Sequence, residues 1–177
     1  MAAQDIAAAL ERVESVLRRR PEAGLHDDAP ATARWDSGTR VVSHHANGTQ
    51  VPTDMPDEFG GTGDHVTPGW LLRAGVASCT ATRIAMAAAT EGIELQTLEV
   101  QTTSRSDARG LLGLADADGE PVNARPLDMQ LHVRIRAHGV APDRLRAFVE
   151  ESIRCSPMVC AIQEAVPMAL RIDVGSA

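Results

Sequence analysis

Residues 68–91 read PGWLLRAGVASCTATRIAMAAATE, and this stretch predicts a long helix at the centre of the fold. Pro68 suits the first turn of a helix, where a missing N–H removes no hydrogen bond, and Gly92 follows as a C-terminal stop. The segment is apolar on nearly every side but thin, because many of its side chains are alanine. A helix of this composition is typical of the centre of a domain, where other elements pack close to its backbone. Cys79 lies in its middle.

Two long strands and further helices are predicted after this central helix. Residues 95–105 and 127–137 are predicted strands, and in the second of them every other residue is apolar. Such alternation predicts one buried and one solvated face. Pro142 opens a helix with apolar residues at helical spacing, and a further short helix runs through Cys160. Residues 168–174 predict a closing strand.

The first 30 residues predict a helical extension and a linker. Asp5 is the predicted N-cap of the helix, Pro21 ends it, and residues 22–30 form the linker because they are rich in Pro, Gly and Asp. The apolar positions that recur at helical spacing are Ile6, Leu10, Val13 and Leu17.

Short strands are predicted over residues 31–53. Asn47-Gly48 predicts a hairpin with a type I′ turn, in which both central residues have positive φ. Residues 54–68 then predict a loop rich in Gly and Pro, which contains Gly60-Gly61.

The composition excludes several classes of chemistry and of partner. All 17 basic residues are arginine, so no lysine is present to form a Schiff base or to bind phosphate in a Walker-A loop. The net charge of −7 and the four aromatic residues argue against a nucleic-acid partner. The N-terminus lacks the pattern of a signal peptide, and Arg73 and Arg83 interrupt the most apolar stretch. We therefore expect no membrane contact and a cytoplasmic location.

Cys79 and Arg83 form the first candidate for a reactive site. Residues four apart share one face of a helix, so the guanidinium could approach the sulfur and favour the reactive thiolate. The alternative is structural, because a free cysteine also packs as a small buried hydrophobe. Both interpretations stay open from the residues alone.

Cys155 and Cys160 form the second candidate. Their separation of five is not the spacing of a zinc ribbon or of a thioredoxin-like motif, and we expect no metal and no organic cofactor. Either thiol could resolve an oxidised Cys79, or both could pack at a helix junction. A cysteine hydrolase is a further alternative, but it needs a histidine beside Cys79, and nothing in the sequence places one there.

Several short motifs occur in one order along the chain. They are Gly60-Gly61, Pro68, LLRAGVASCT at residues 71–80, SDARGLLG at residues 106–113, and SPM at residues 156–158. In this order and spacing the chain resembles the family of osmotically inducible protein C and organic hydroperoxide resistance protein (OsmC/Ohr). The resemblance divides the chain into an extension and linker at residues 1–30 and an OsmC-like domain at residues 31–177.

This resemblance implies a fold, an assembly and an activity. The fold is α+β, with two central helices wrapped by antiparallel β-sheets in an intertwined homodimer whose active sites lie at the dimer interface. Better-known members reduce organic hydroperoxides: one cysteine attacks the O–O bond and becomes a sulfenic acid, a second cysteine forms a disulfide with it, and a dithiol reductant restores both. Carried over to this sequence, Cys79 is the attacking cysteine, and Arg40 is the nearest match to the arginine that stabilises the thiolate.

Two positions depart from the family pattern. Gly69 stands where peroxide-reducing members carry a glutamate that orients the arginine. Ser156 stands before Pro157, where the family has its second cysteine. One residue turns a helical side chain by about 100°, so Cys155 does not simply inherit the role, whereas Cys160 faces the same way as Ser156 one turn further along. The resemblance thus predicts a hydroperoxide reductase. The alternative is a non-catalytic protein of the same fold that binds a small apolar ligand at the dimer interface.

Overall fold

The computed structural model describes residues 3–175, and their mixture of helices with two antiparallel sheets confirms the α+β class. Two short 3-10 turns, Pro21–Gly24 and Asp57–Phe59, lie between the main elements. The helices are α1 (Ala3–Arg19), α2 (Pro68–Thr90), α3 (Ala108–Leu111), α4 (Pro142–Arg154) and α5 (Pro157–Gln163). The strands are β1 (Thr32–Ser37), β2 (Arg40–His44), β3 (Gln50–Thr53), β4 (Leu95–Arg105) and β5 (Leu127–Ala137).

Helix α2 begins and ends where its sequence predicts. The Thr67 side chain accepts a hydrogen bond from the backbone N–H of Trp70 at 3.2 Å and so caps the N-terminus. At the other end Gly92 has φ +65°, and the N–H of Ile93 donates to the carbonyl of Ala88 at 2.8 Å. This is the Schellman ending, which requires a left-handed residue and therefore favours glycine.

The core lies between α2 and α4. Ile84, Ala88 and Phe148 are each at most 1% exposed. Alanine at several α2 positions lets the ring of Phe148 approach the helix closely, so the small residues of α2 produce a tight core. Half-buried apolar side chains of β4 and β5 cover this core on one side.

The two sheets have different surroundings. β4 and β5 pair along their whole length, from Leu95 opposite Ala137 to Arg105 opposite Leu127, and their inner faces pack on the core. β1, β2 and β3 form a separate sheet in that order. Strand β1 is exposed at all of its positions, and within residues 3–175 the core cluster contains no residue of the three-stranded sheet.

The hairpin at Asn47-Gly48 is confirmed, but its predicted turn type is wrong. Gly48 has φ +91°, whereas Asn47 is not among the described residues with positive φ. The N–H of Gly48 donates to the carbonyl of His45 at 3.0 Å, and the N–H of Thr49 donates to the Asn47 side chain at 2.9 Å. Because the loop has three residues, a turn followed by one left-handed glycine closes it, and Asn47 keeps an ordinary backbone.

Two further predictions are corrected. Within the described residues helix α1 already includes Ala3, so Asp5 lies in its first turn and is not the N-cap; a carboxylate there still interacts favourably with the helix dipole. Residues 168–174 form no strand, and the apolar side chains of Met168 and Leu170 are 95% and 85% exposed. A strand needs a neighbouring edge for its hydrogen bonds, and no edge within residues 3–175 pairs with this segment.

None of the helices in residues 3–175 has the length and apolar character that crossing a lipid bilayer requires.

Candidate active site

Cys79 and Ser156 meet where α2 contacts the junction of α4 and α5. The Ser156 hydroxyl donates a hydrogen bond to the Cys79 sulfur across 3.6 Å. Cys79 is half-buried, and Ser156 is fully buried. The sequence identified Ser156 only as a departure from a family pattern, and the structure shows that it faces the candidate nucleophile.

The chain turns sharply to put Ser156 in this place. Helix α4 ends at Arg154, and the N–H of Ser156 donates to the carbonyl of Ile153 at 2.9 Å. Pro157 follows as the first residue of α5. Because proline has no N–H and disfavours a helical residue before it, the chain leaves one helix and starts another at Ser156.

A second buried hydroxyl extends the contact. Thr80 Oγ1 lies 3.4 Å from Ser156 Oγ, and both residues are fully buried. A hydroxyl has one proton to donate, so when Ser156 donates to Cys79 its oxygen can accept from Thr80. The three side chains then form a directed chain of hydrogen bonds that ends at the sulfur, an arrangement in which each bond strengthens the next.

The other two cysteines lie outside this cluster. Cys155 is exposed just after α4, and Cys160 is exposed on α5. The thiol of Cys160 donates to the carbonyl of Arg154 at 3.5 Å. All three cysteines are free thiols.

Arg40 lies at the start of β2 and hydrogen-bonds to the loop that precedes α2. Its Nη2 donates to both carboxylate oxygens of Asp64, at 2.6 and 2.7 Å, and to Thr62 Oγ1 at 2.9 Å. A longer contact of 3.4 Å reaches Asp54. The structure therefore joins Arg40 to two carboxylates, and no hydrogen bond among residues 3–175 joins it to Cys79.

Asp54 is the buried centre of this network, with only 3% of its surface exposed. Hydrogen bonds from the Thr39 hydroxyl at 2.6 Å, from the Thr62 hydroxyl at 2.7 Å and from two backbone N–H groups hold its pKa well below the usual range. The pKa of Asp64 is also lowered, first by the Thr62 hydroxyl, which can donate its one proton to either carboxylate, and then by Arg40. We call Thr39, Arg40, Asp54, Thr62 and Asp64 the loop network.

The Gly60-Gly61 pair is required for the loop to close on this network. A Cβ at residue 61 would stand 1.7 Å from the carbonyl oxygen of Met55, which is much closer than two nonbonded atoms can approach. Gly60 has φ +78°, a backbone conformation that residues other than glycine rarely adopt. The two glycines have different functions: one avoids a clash and the other turns the chain.

Arg83 lies on the same helix as Cys79 but lines a different feature. It is half-buried in a groove of about 660 Å³ between α1 and α2, beside Leu10, Leu17 and Met86. Neither an ion pair nor a hydrogen bond is formed by its guanidinium with the residues described.

Sequence reasoning missed Arg73, which fills the space beside Gly69. Its Nη1 lies 3.7 Å from where a Cβ of residue 69 would stand, and the same atom donates to Ser104 Oγ at 3.4 Å. The available signal was the spacing of four between Gly69 and Arg73, which puts the longer side chain over the residue without one.

Among residues 3–175, no metal-binding cluster is present and no histidine is hydrogen-bonded to the Cys79 sulfur. Within the part of the chain that the structure describes, no group of three or more His, Cys, Asp or Glu side chains could hold a metal ion. The hydrogen-bond partner of the Cys79 sulfur is a serine and not a histidine.

Comparison with known families decides the relationship. A family model described as OsmC-like protein matches residues 61–171, which is more than half of the chain. The chain belongs to the OsmC-like family. The match contains the Cys79 helix and the Ser156 junction, so the predicted family resemblance is confirmed. Among curated proteins, none matches the chain significantly.

Solved structures of OsmC-like proteins share the fold at low sequence identity. An OsmC-like protein from Mycoplasma pneumoniae is 16% identical with a TM-score of 0.65, and the match covers 80% of this chain and 91% of that one. An organic hydroperoxide resistance protein OsmC from Legionella pneumophila is 19% identical with a TM-score of 0.58, covering 78% and 91%. The organic hydroperoxide resistance protein OhrB of Bacillus subtilis is 19% identical with a TM-score of 0.51, covering 78% and 93%.

Proposed function

We propose that this OsmC-like protein reduces small organic hydroperoxides with Cys79 as the nucleophile. The observation that carries the proposal is the Cys79 sulfur, half-buried on the central helix, receiving the hydrogen bond of a fully buried serine hydroxyl. The names of the Legionella pneumophila and Bacillus subtilis neighbours support the same class of substrate.

The first step is attack of the Cys79 thiolate on one oxygen of the peroxide. A sulfur–oxygen bond forms as the O–O bond breaks, and the departing alkoxide takes up a proton to become an alcohol. The cysteine is thereby oxidised to a sulfenic acid while the hydroperoxide is reduced. The hydrogen-bond chain from Thr80 through Ser156 stabilises negative charge on the sulfur, because donors to a charged acceptor bind more strongly than donors to a neutral one.

The arginines contribute to this mechanism in two ways. Arg83 stands one helical turn beyond Cys79 on α2, and we propose it as the cation that accompanies the thiolate during the attack. Arg40 fixes the loop before α2, because Asp54 and Asp64 hold its guanidinium.

The second half of the cycle needs a thiol. Condensation of the sulfenic acid with a thiol gives a disulfide and water, and further thiols or a dithiol then exchange the disulfide back to free Cys79. The other two cysteines of this chain, Cys155 and Cys160, are both exposed free thiols. A cytoplasmic location would keep all three cysteines reduced and would supply the reductant.

We propose that the active unit is a homodimer formed by residues 31–177, with residues 1–30 as an extension. The described chain exposes 13465 Å². A compact monomer of this mass is expected to expose about 8,300 Å², so an excess of about 5,000 Å² remains on one chain, which exceeds one partner's share of an obligate homodimer interface, since such an interface buries about 2,000–5,000 Å² over both partners together. The exposed strand β1 and the apolar side chains near the C-terminus contribute to this excess.

One observation favours binding without chemistry as a second candidate function. A groove of about 1130 Å³ lies between the β4–β5 sheet and α4, and the apolar part of its lining includes Leu131, Val133 and Leu145, beside charged side chains such as Arg134 and Glu150. A small apolar ligand would fit such a space.

The deciding experiment follows peroxide consumption and the state of Cys79 together. Reduced protein is mixed with tert-butyl hydroperoxide and a thiol, the remaining peroxide is measured, and Cys79 is analysed by mass spectrometry. We expect turnover that falls at least 100-fold in Cys79→Ser and is kept in Cys155→Ser/Cys160→Ser with external thiol present. If Cys79 stays a free thiol in folded protein under excess peroxide, the reductase proposal fails and the binding function replaces it.

A further inference from the structure

We infer that oxidised Cys79 is reduced by a small external thiol and not by another cysteine of this chain. This inference rests on the proposed hydroperoxide reductase function and names the reductant of the same site. Its starting point is that the group hydrogen-bonded to the Cys79 sulfur is the Ser156 hydroxyl, 3.6 Å away and fully buried. A hydroxyl cannot form a disulfide, so this neighbour leaves the sulfenic acid intact.

The two remaining thiols are held elsewhere. Cys160 is exposed, and its thiol donates to the Arg154 carbonyl at the end of α4. It lies four residues beyond Ser156, which is about 6 Å along a helix, and Ser156 is the residue of this junction that contacts the Cys79 sulfur. Cys155 is exposed while its neighbour Ser156 is buried, so the two side chains point in different directions. For either thiol to reach Cys79, the junction between α4 and α5 would have to move.

In the single chain Cys79 is only half-buried, so a small thiol can reach its side chain without movement of the α4–α5 junction. The sulfur of the small thiol attacks the sulfur of the sulfenic acid, a mixed disulfide forms, and the hydroxyl leaves as water once protonated. A second molecule of the thiol attacks the mixed disulfide and releases the Cys79 thiolate together with an oxidised dimer of the small thiol. Over one cycle two thiols are oxidised and one hydroperoxide is reduced to an alcohol and water.

The test compares the native protein with Ser156→Cys. Each is reduced, freed of thiol and treated with one equivalent of tert-butyl hydroperoxide, with dimedone present to trap sulfenic acid, and peptides are then mapped by mass spectrometry. We expect the native protein to carry dimedone on Cys79 and no disulfide. We expect Ser156→Cys to contain a disulfide between residues 79 and 156 and at least tenfold less dimedone adduct, because the substitution puts a second sulfur at the position of the hydroxyl.

A second measurement does not depend on that variant folding. With 2-mercaptoethanol in place of dimedone, the native protein should form a mixed disulfide at Cys79, and Cys155→Ser/Cys160→Ser should keep its turnover within about twofold. A disulfide from Cys79 to Cys155 or Cys160 in the native protein would overturn the external-thiol proposal while leaving the reductase function standing. A Cys79 that no peroxide oxidises would remove the reductase function and this inference with it.

Discussion

The guanidinium of Arg40 lies 2.6 Å from a carboxylate oxygen of Asp64, a contact that spans 24 positions of the sequence. It joins the three-stranded sheet to the loop that delivers the chain into α2. Since Asp54 and Thr62 bind the same guanidinium, the loop network fixes how the Cys79 helix begins.

We predict that Asp54→Asn destabilises the protein at neutral pH and that the difference from the native protein is smaller at pH 3. The native pKa of Asp54 is lowered, so between that pKa and the unfolded value of about 3.9 the folded state binds fewer protons than the unfolded state. The stabilisation by Asp54 is therefore complete above about pH 5 and is lost progressively as the pH falls from there toward the native pKa. Urea unfolding at pH 7 and at pH 3 checks this.

The matched control for that prediction is Asp27→Asn. Asp27 is exposed in the linker, and the same experiment should show no difference from the native protein at either pH. Equal loss of stability in the Asp54 variant at both values would contradict the role of its carboxylate.

We predict that removing the hydroxyl at Ser156 slows peroxide reduction. Ser156→Ala should reduce kcat/KM for tert-butyl hydroperoxide about tenfold, because one hydrogen bond to a charged acceptor contributes roughly 1.5 kcal/mol. Thr80→Val keeps the side-chain shape and removes the donor to Ser156, so a smaller loss of about twofold to fivefold is expected. Steady-state kinetics checks both.

Thr90→Val serves as the control on the same helix, because the Thr90 hydroxyl is exposed and donates to the backbone of Met86. Its kinetics should match those of the native protein. Native activity in Ser156→Ala would show that the hydroxyl takes no part in the reaction.

We predict that Gly61→Ala destabilises the protein while Gly69→Ala does not. The added Cβ at residue 61 meets the Met55 carbonyl oxygen at 1.7 Å, and relief of that overlap requires backbone movement that costs about 1–3 kcal/mol. At residue 69 the nearest atom is 3.7 Å away, and alanine has the higher helix propensity, so this variant should gain about 0.5–1 kcal/mol. Thermal unfolding distinguishes them, and equal stability of the two would refute the close approach at Gly61.

We predict that Phe148→Ala lowers the free energy of unfolding by about 3–5 kcal/mol, because the ring is 1% exposed and leaves a cavity against α2. Leu25→Ala, at a side chain that is 91% exposed, should change it by less than about 0.5 kcal/mol. Urea denaturation at one protein concentration gives both values. A loss below about 1 kcal/mol for the phenylalanine variant would mean that α2 and α4 repack around the gap.

The elements with regular patterns were predicted from sequence, and contacts between distant residues were not. β4 and β5 were found at Leu95–Arg105 and Leu127–Ala137 because alternation is a local property of a strand. The partners of Arg40 lie 14 and 24 residues away, and the approach of Ser156 to Cys79 spans 77, so both depend on how the elements pack.

The strand predicted over residues 168–174 failed for a related reason. Its alternation is real, but a strand is completed by the edge of another strand, and within residues 3–175 this segment has none. The turn at Asn47-Gly48 shows the opposite case, because the hairpin itself was predicted correctly. Its turn type depends on the length of the loop, which the Asn-Gly pair does not specify.

Helix α2 supplies both the alanines that let α4 pack closely and the cysteine proposed to react. A larger side chain at Ala88 would push α4 outward, and α4 carries the Ser156 junction with it. The tolerance of this protein to mutation should therefore be lowest along α2. A substitution there that only enlarges a side chain, even far from Cys79, would lengthen the distance between the Cys79 sulfur and the Ser156 hydroxyl and would be selected against for that reason.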